Sequence, residues 1–231
     1  MTVRERVARF LAGTSAPWLA GLISALLVAY VWQGLSGVAA YHDERAYLVQ
    51  ARLLSHFSWT APAPPLSIFF EMPHLFVEPR IFARYPPGHA PLLVPGIWLG
   101  LPGLVPVLLA GITGALTFSI ARRLAGVWVA SVAWGVWSVA PETLDWHSSY
   151  FSETTTSTLW LGVLLAILAW RARERAWLLA AIVGGVAWMG ITRPVTGIAL
   201  GIPIAVVVIM TAVQRRSLLG WKRSAVIGLL I

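Results

Sequence analysis

Cysteine is absent from this chain, and its six longest apolar runs contain no Asp, Glu, Lys, Arg or His. The first absence excludes disulfides, thiol catalysis and cysteine metal sites. The second confines ionisable chemistry to the connections between the runs, which span residues 17–40, 104–121, 125–140, 154–170, 176–192 and 195–213. Charge is scarce throughout: 11% of the 231 residues are charged and 58% are hydrophobic, with thirteen Trp. That balance excludes a soluble domain, because runs near 20 residues are what hydrocarbon requires. The expected fold class is all-α, a polytopic membrane bundle of about 6–7 transmembrane helices. The runs at 125–140 and 154–170 are short and need flanking residues or local thinning to cross about 30 Å.

What charge there is follows a pattern. Arg4, Arg6 and Arg9, then Arg122 and Arg123, then Arg171, Arg173 and Arg175, then Arg215, Arg216, Lys222 and Arg223 fall in alternate connections. This is the positive-inside distribution and assigns the N-terminus to the cytoplasm. The opposite side collects Arg45, Arg52, Arg80, Arg84 and Arg193, all five histidines, and seven of the nine carboxylates. The net charge of +8 is therefore membrane topology rather than a nucleic-acid surface. The N-terminal apolar run reads as a retained span, not a cleaved signal.

The first outer loop, about 41–103, exceeds the usual length of a connection, which points to function. Within it, Tyr47, Leu48, Ala51 and Leu54 share one helical stripe, predicting an amphipathic helix along the membrane surface. Pro62, Pro64 and Pro65 end regular structure. A second surface segment follows Tyr85-Pro86-Pro87-Gly88-His89, with Trp98 as an interfacial anchor. The second outer loop, about 141–153, is short and polar, and a third is the turn Thr192-Arg193-Pro194.

Asp43 suits two roles: N-cap of the surface helix, with Glu44 favouring the helix dipole, or general base toward an acceptor hydroxyl. Arg80 and Arg84 are either lipid-headgroup partners or phosphate ligands, for which guanidinium geometry is apt. Arg193 lies between two apolar runs, where an isolated cation at mid-depth costs ~2.5–3.5 kcal/mol. It therefore calls for an acidic or phosphate partner. Glu153 is a first-turn acid or a functional group. His42, His56, His74, His89 and His147 show no metal-ligand spacing such as His-Glu-x-x-His, so a divalent metal is possible but not indicated.

Asp43-Glu44 followed by Tyr47, Ala51 and Leu53-Leu54; Tyr85-Pro86-Pro87-Gly88-His89; Ala121-Arg122-Arg123-Leu124; and the stretch 149–158 around Glu153 together resemble the GT-C integral-membrane glycosyltransferases. The likeness is to the protein O-mannosyltransferase and lipid A aminoarabinose transferase branch, of the glycosyltransferase family 39 type. It implies Asp43 as catalytic base with Glu153 as the second acid, although relatives often carry Asp there. It implies donor-phosphate binding by Arg84 or Tyr85, Arg193 and Arg80, and a supporting or acceptor-side role for Glu44, His42 and His89. The implied donor is a polyprenyl-phosphate-linked sugar and the acceptor a lipid, glycan or protein. No cofactor is required and no nucleic acid is involved. The implied location is the plasma (inner) membrane, with the site on the outer or periplasmic face. The alternatives are a transporter or flippase of lipid-linked sugars, which charge-free spans disfavour, and a non-catalytic subunit. Residues 1–231 are expected to be the N-terminal part of such a module, because the apolar segment from Ser224 to Ile231 is too short to cross and the family continues through further spans.

Overall fold

A computed structural model describes the backbone at 1–32, 39–173 and 175–228, and side chains as far as 214. Among the described residues the chain is 75% helical, with nine helices. Helix α1 (Val3–Ala12) opens with a capping box: the Thr2 hydroxyl accepts from the Glu5 amide and the Glu5 carboxylate accepts from the Thr2 amide. Its arginines keep it out of an apolar phase, and it turns 84° into α2 (Ser15–Val31). Residues 33–38 of the run expected at 17–40 lie outside the described residues.

The longest helix, α5 (Leu104–Val139), is not straight. Gly126 breaks it at φ 84°, a left-handed conformation open to glycine. A ring carbon of Trp137 lies 3.2 Å from where a Cβ on Gly114 would stand, although 23 residues of straight helix would separate the two by about 35 Å. The chain therefore doubles back, and the runs at 104–121 and 125–140 are its two antiparallel limbs. Helix α2 packs on both: Phe118 from one limb and Ala130 from the other share a cluster with Ala16 and Ala20. Trp134 donates to the Ser24 hydroxyl at 3.0 Å. Close approach depends on small residues, since a Cβ at Gly21 would stand 2.7 Å from the Gly111 carbonyl oxygen.

Helices α7 (Glu153–Arg173), α8 (Ala176–Thr192) and α9 (Pro194–Gly228) form a second group around Val163, Ile167, Ile182, Met189, Leu200 and Ile204. The α8–α9 turn falls at Arg193, as expected, with Pro194 opening α9. Helix α9 continues through the basic stretch 215–223, where the sequence predicts a connection to a seventh segment. By length and composition, Leu104–Val139, Glu153–Arg173 and Pro194–Gln214 are suited to crossing a membrane. The bent α1–α2 pair is a fourth candidate, and α8 is apolar but short. By this criterion three helices qualify, or four with the bent pair, against the six or seven crossings expected; the two limbs of α5 count once in it and α8 falls just below its length.

The long first loop is folded. Helix α3 (His42–Ser55) buries the predicted stripe of Tyr47, Leu48 and Ala51 against Ala90 and Leu93 of α4 (Ala90–Trp98). Between them β1 (Ala61–Pro62), β2 (Leu75–Phe76) and β3 (Arg80–Ala83) make a small antiparallel sheet in the order β1-β3-β2. The sheet corrects the all-α expectation: Pro62 stops helix but is compatible with an edge strand. Gln50 ties the sheet to α3, accepting from the Ala83 amide at 2.9 Å and donating to the Trp59 carbonyl at 3.0 Å. A short α6 (Pro141–His147) fills the second outer loop.

Replacing Gly21 with Leu forces α2 and α5 apart and is expected to lower stability by about 1–3 kcal/mol. Gly135→Ala, where nothing lies within 4 Å, serves as the near-neutral control in the same thermal unfolding measurement.

Candidate functional site

The site is assembled by buried polar contacts that pin loops onto helices. Glu44, 3% exposed, accepts from the amides of Ala40 at 2.8 Å and Tyr41 at 2.9 Å, and across 106 residues from the Tyr150 amide at 2.8 Å. His89, fully buried, bonds the Tyr150 carbonyl at 2.9 Å and the Thr155 hydroxyl at 2.8 Å. A carbonyl only accepts, so Nε2 of His89 carries the proton and Nδ1 accepts from Thr155. Burial pushes its pKa down to about 4, so this tautomer is neutral. Both polar groups of the Tyr150 backbone are thereby held by the segment between α2 and α5, which sets the start of α7 and Glu153.

A third tie joins the Pro-Pro-Gly stretch to the end of α8. The Gly88 amide donates to the Ile191 carbonyl at 2.8 Å and the Trp188 indole donates to the Gly88 carbonyl at 3.0 Å. A Cβ at Gly88 would sit 2.8 Å from the Thr192 nitrogen, so the position requires glycine.

These ties bring Asp43, Tyr47, Tyr85, Glu153 and Arg193 around one cavity of about 500 Å³. The Arg193 guanidinium pairs with the Glu153 carboxylate, which supplies the partner that its position demands. Asp43 Oδ1 lies 2.8 Å from His74 Nε2, and the Tyr85 phenol stands beside the same carboxylate. Burial, reinforced by the Asp43 hydrogen bond and charge, holds the Tyr85 phenol well above the usual range. Tyr85 stacks between Tyr47 and His74, with centroids 4.7 and 5.0 Å away, and Tyr47 donates to the Ser152 hydroxyl at 3.1 Å. Burial also raises the Tyr47 phenol, so both rings are neutral hydrogen-bond donors.

A second cavity, about 720 Å³, adjoins the first through Trp146, Glu153, Arg193 and Thr196. It reaches Thr113 and Thr117 in α5 and is walled by Trp137, Trp146 and Trp160. His147 borders it. Its Nδ1 donates to the Thr143 carbonyl at 2.9 Å, leaving the Nε2 lone pair 3.5 Å from the Ser157 hydroxyl, and burial lowers its pKa.

Several expected residues lie elsewhere. Arg84 sits over the Phe76 ring at 4.5 Å and borders a separate depression with Glu71 and Glu78. Arg84 and Tyr85 lie in the bend that follows β3, and the chain there places Tyr85 on the cavity and Arg84 on Phe76. Arg80 is exposed and donates to the Thr60 hydroxyl at 2.6 Å. His42 is exposed, one helical step from Asp43, and borders neither cavity. Tyr85 does reach the site, but its hydroxyl engages the acid. His74 and His147 are additions; nothing in their sequence context marks them, since each gains its role through tertiary placement. Among the described residues no three His, Asp or Glu side chains gather as a metal-ligand set.

The chain matches no protein-family model, no curated protein and no solved structure at a significant level of similarity.

His89 gives the fold a defined acid sensitivity. Its pKa is depressed from 6.5 to about 4, so the unfolded chain binds the proton first as pH falls through that window. Stability present above pH 6.5 is then lost, by roughly 3 kcal/mol from this group. Unfolding in detergent across this range should be shallower for His89→Gln; an unchanged pH slope would exclude His89 as the source.

Proposed function

We propose that this chain carries the site of a membrane glycosyltransferase that moves a sugar from a polyprenyl-phosphate donor to a lipid, glycan or protein acceptor on the non-cytoplasmic face. The observation that carries the reading is the gathering of Asp43, Glu153 and Arg193, from three distant segments, on one polar cavity that opens into an aromatic one among the helices. A lipid-linked donor has the same two-part chemistry: a phosphate-bearing head and an apolar chain. In the proposed topology α2, both limbs of α5, α7, α8 and α9 each cross the plasma membrane. The basic residues at the α1–α2 bend, the α5 reversal and the α7–α8 connection then face the cytoplasm.

In this mechanism Asp43 takes the proton of the acceptor hydroxyl as the acceptor oxygen bonds the sugar's anomeric carbon. The bond from that carbon to the phosphate oxygen breaks on the opposite side, giving inversion and releasing polyprenyl phosphate. His74 and Tyr85 hold the Asp43 carboxylate in one orientation, which favours a near-attack geometry. Arg193 stabilises the departing phosphate. A guanidinium has five N–H donors, and the pair with Glu153 leaves others free for phosphate oxygens. Glu153 acts here by orienting Arg193. The same pairing argues against a transporter coupled by a free charge at mid-depth, since the described charges near the helices sit at one end or the other.

Purified protein in nanodiscs, supplied with radiolabelled polyprenyl-phosphate mannose or aminoarabinose and a membrane-lipid acceptor extract, should release polyprenyl phosphate. Asp43→Asn is expected to insert and fold normally while transfer drops by about 10²–10⁴. Arg193→Ala should raise the apparent donor KM. Turnover unchanged in Asp43→Asn at matched folded protein removes Asp43 as base, and donor movement across the bilayer without bond cleavage replaces the enzyme with a transporter.

A further inference from the structure

At the end of the bundle opposite Asp43, three arginines border one cavity and have no partner among the described residues. Arg123 from the α5 reversal, Arg173 from the last turn of α7 and Arg175 from the N-cap of α8 border one cavity of about 450 Å³, with Ala169, Ala172 and Trp177 completing much of its wall. None of the three has a salt bridge or side-chain hydrogen bond among the described residues. Arg122 beside them differs: its guanidinium donates to the carbonyls of Leu11 at 3.1 Å and Gly13 at 2.7 Å and lies 5.7 Å from the Phe118 ring. Arg122 is used to hold the α1–α2 bend, whereas Arg123 is turned to the cavity.

Three guanidinium groups brought together from three elements repel one another, and an anion in the cavity offsets that cost. Planar N–H forks select phosphate oxygens. The surroundings specify an amphiphile rather than a free ion. Leu124 and Trp177 are 68% and 60% exposed beside the cations, and Trp128, just past the Gly126 break, is also exposed. A cationic cavity rimmed by outward apolar side chains at the end of a helical bundle has the arrangement of a lipid headgroup pocket with its acyl contacts alongside.

We propose that Arg123, Arg173 and Arg175 form a specific binding site for the phosphate of an anionic phospholipid at the membrane face opposite the Asp43 cavity. Occupancy clamps the α5 reversal to the α7–α8 connection, joining the two helix groups at the end where no buried polar tie equivalent to Glu44 is present among the described residues. The inference does not depend on the glycosyltransferase reading.

The test uses the full chain in nanodiscs of phosphatidylcholine with a minority of phosphatidylglycerol, released for native mass spectrometry. Retained phosphatidylglycerol is expected in excess of its bilayer share. The R123Q/R173Q/R175Q variant should retain at least about tenfold less. R4Q/R6Q/R9Q, which removes the same charge from α1 at the same end, should retain it as the parent does. If the triple variant does not fold, the single variant Arg123→Gln, compared with Arg4→Gln, provides the same contrast. Equal retention in all variants, or equal loss in both triples, overturns the site in favour of diffuse surface charge. Displacement of the lipid by excess inorganic phosphate, with phosphate binding equally well in detergent alone, overturns the phospholipid assignment.

Discussion

The carboxylate of Glu44 ties together the loops at one end of the bundle. It is buried, it accepts three backbone N–H groups, and one of them belongs to Tyr150, on the far side of α6. Leaving those donors unsatisfied inside the protein costs about 1–3 kcal/mol each, so the contact fixes where the loop sits. His89 holds the carbonyl of the same residue, and the Tyr150 ring packs at 4.9 Å from Trp32 of the first helical group. Asp43 precedes Glu44 on one segment and Glu153 follows Tyr150 on the other. The distance between the two acids is thus set by structure that takes no part in the chemistry proposed for them.

Helices without charge leave the bundle little means of specifying its own register by polar contacts. The α2–α5 packing uses close backbone approach at Gly21 and Gly111 instead, together with a few hydroxyl and indole bonds. Specificity is concentrated at the two ends. One end has acids, histidines and tyrosines in a mutually satisfied arrangement around Arg193. The other has arginines, one serving the backbone at the α1–α2 bend and three facing a cavity. The asymmetry gives the two ends of the bundle distinct electrostatics: one carries a cavity lined by acids, tyrosines and Arg193, and the other a cavity lined by arginines.

The apolar periodicity of α3 was legible because a stripe at Tyr47, Leu48 and Ala51 has one physical explanation, burial against a neighbour. The turn at Arg193-Pro194 was legible because proline constrains the backbone locally, and the break between the limbs of α5 because Arg122 and Arg123 interrupt the apolar run. The three-stranded sheet was not, because strands of two to four residues are too short to show alternation and a proline-rich stretch reads as loop. Arg84 and Tyr85 show the limit most plainly. Both precede the Pro-Pro pair and both are suited to phosphate, yet in the bend after β3 only Tyr85, stacked on Tyr47, lines the cavity, while Arg84 lies over Phe76.

The sequence by itself determined that the chain is helical and apolar enough for a membrane, that its ionisable groups segregate to the connections, and that Arg193 needs a partner. These follow from composition and from the cost of charge in hydrocarbon, which act on each residue irrespective of its distant neighbours. Only the tertiary structure decided that the partner is Glu153, that His74 and Tyr85 hold Asp43, that Glu44 and His89 serve the Tyr150 backbone, and that Arg84 faces away. Such pairings span from about thirty residues to more than a hundred, and a hydrogen bond forms only within about 3 Å. No local property of the chain specifies that proximity; it arises when the helices pack and the loops close over them.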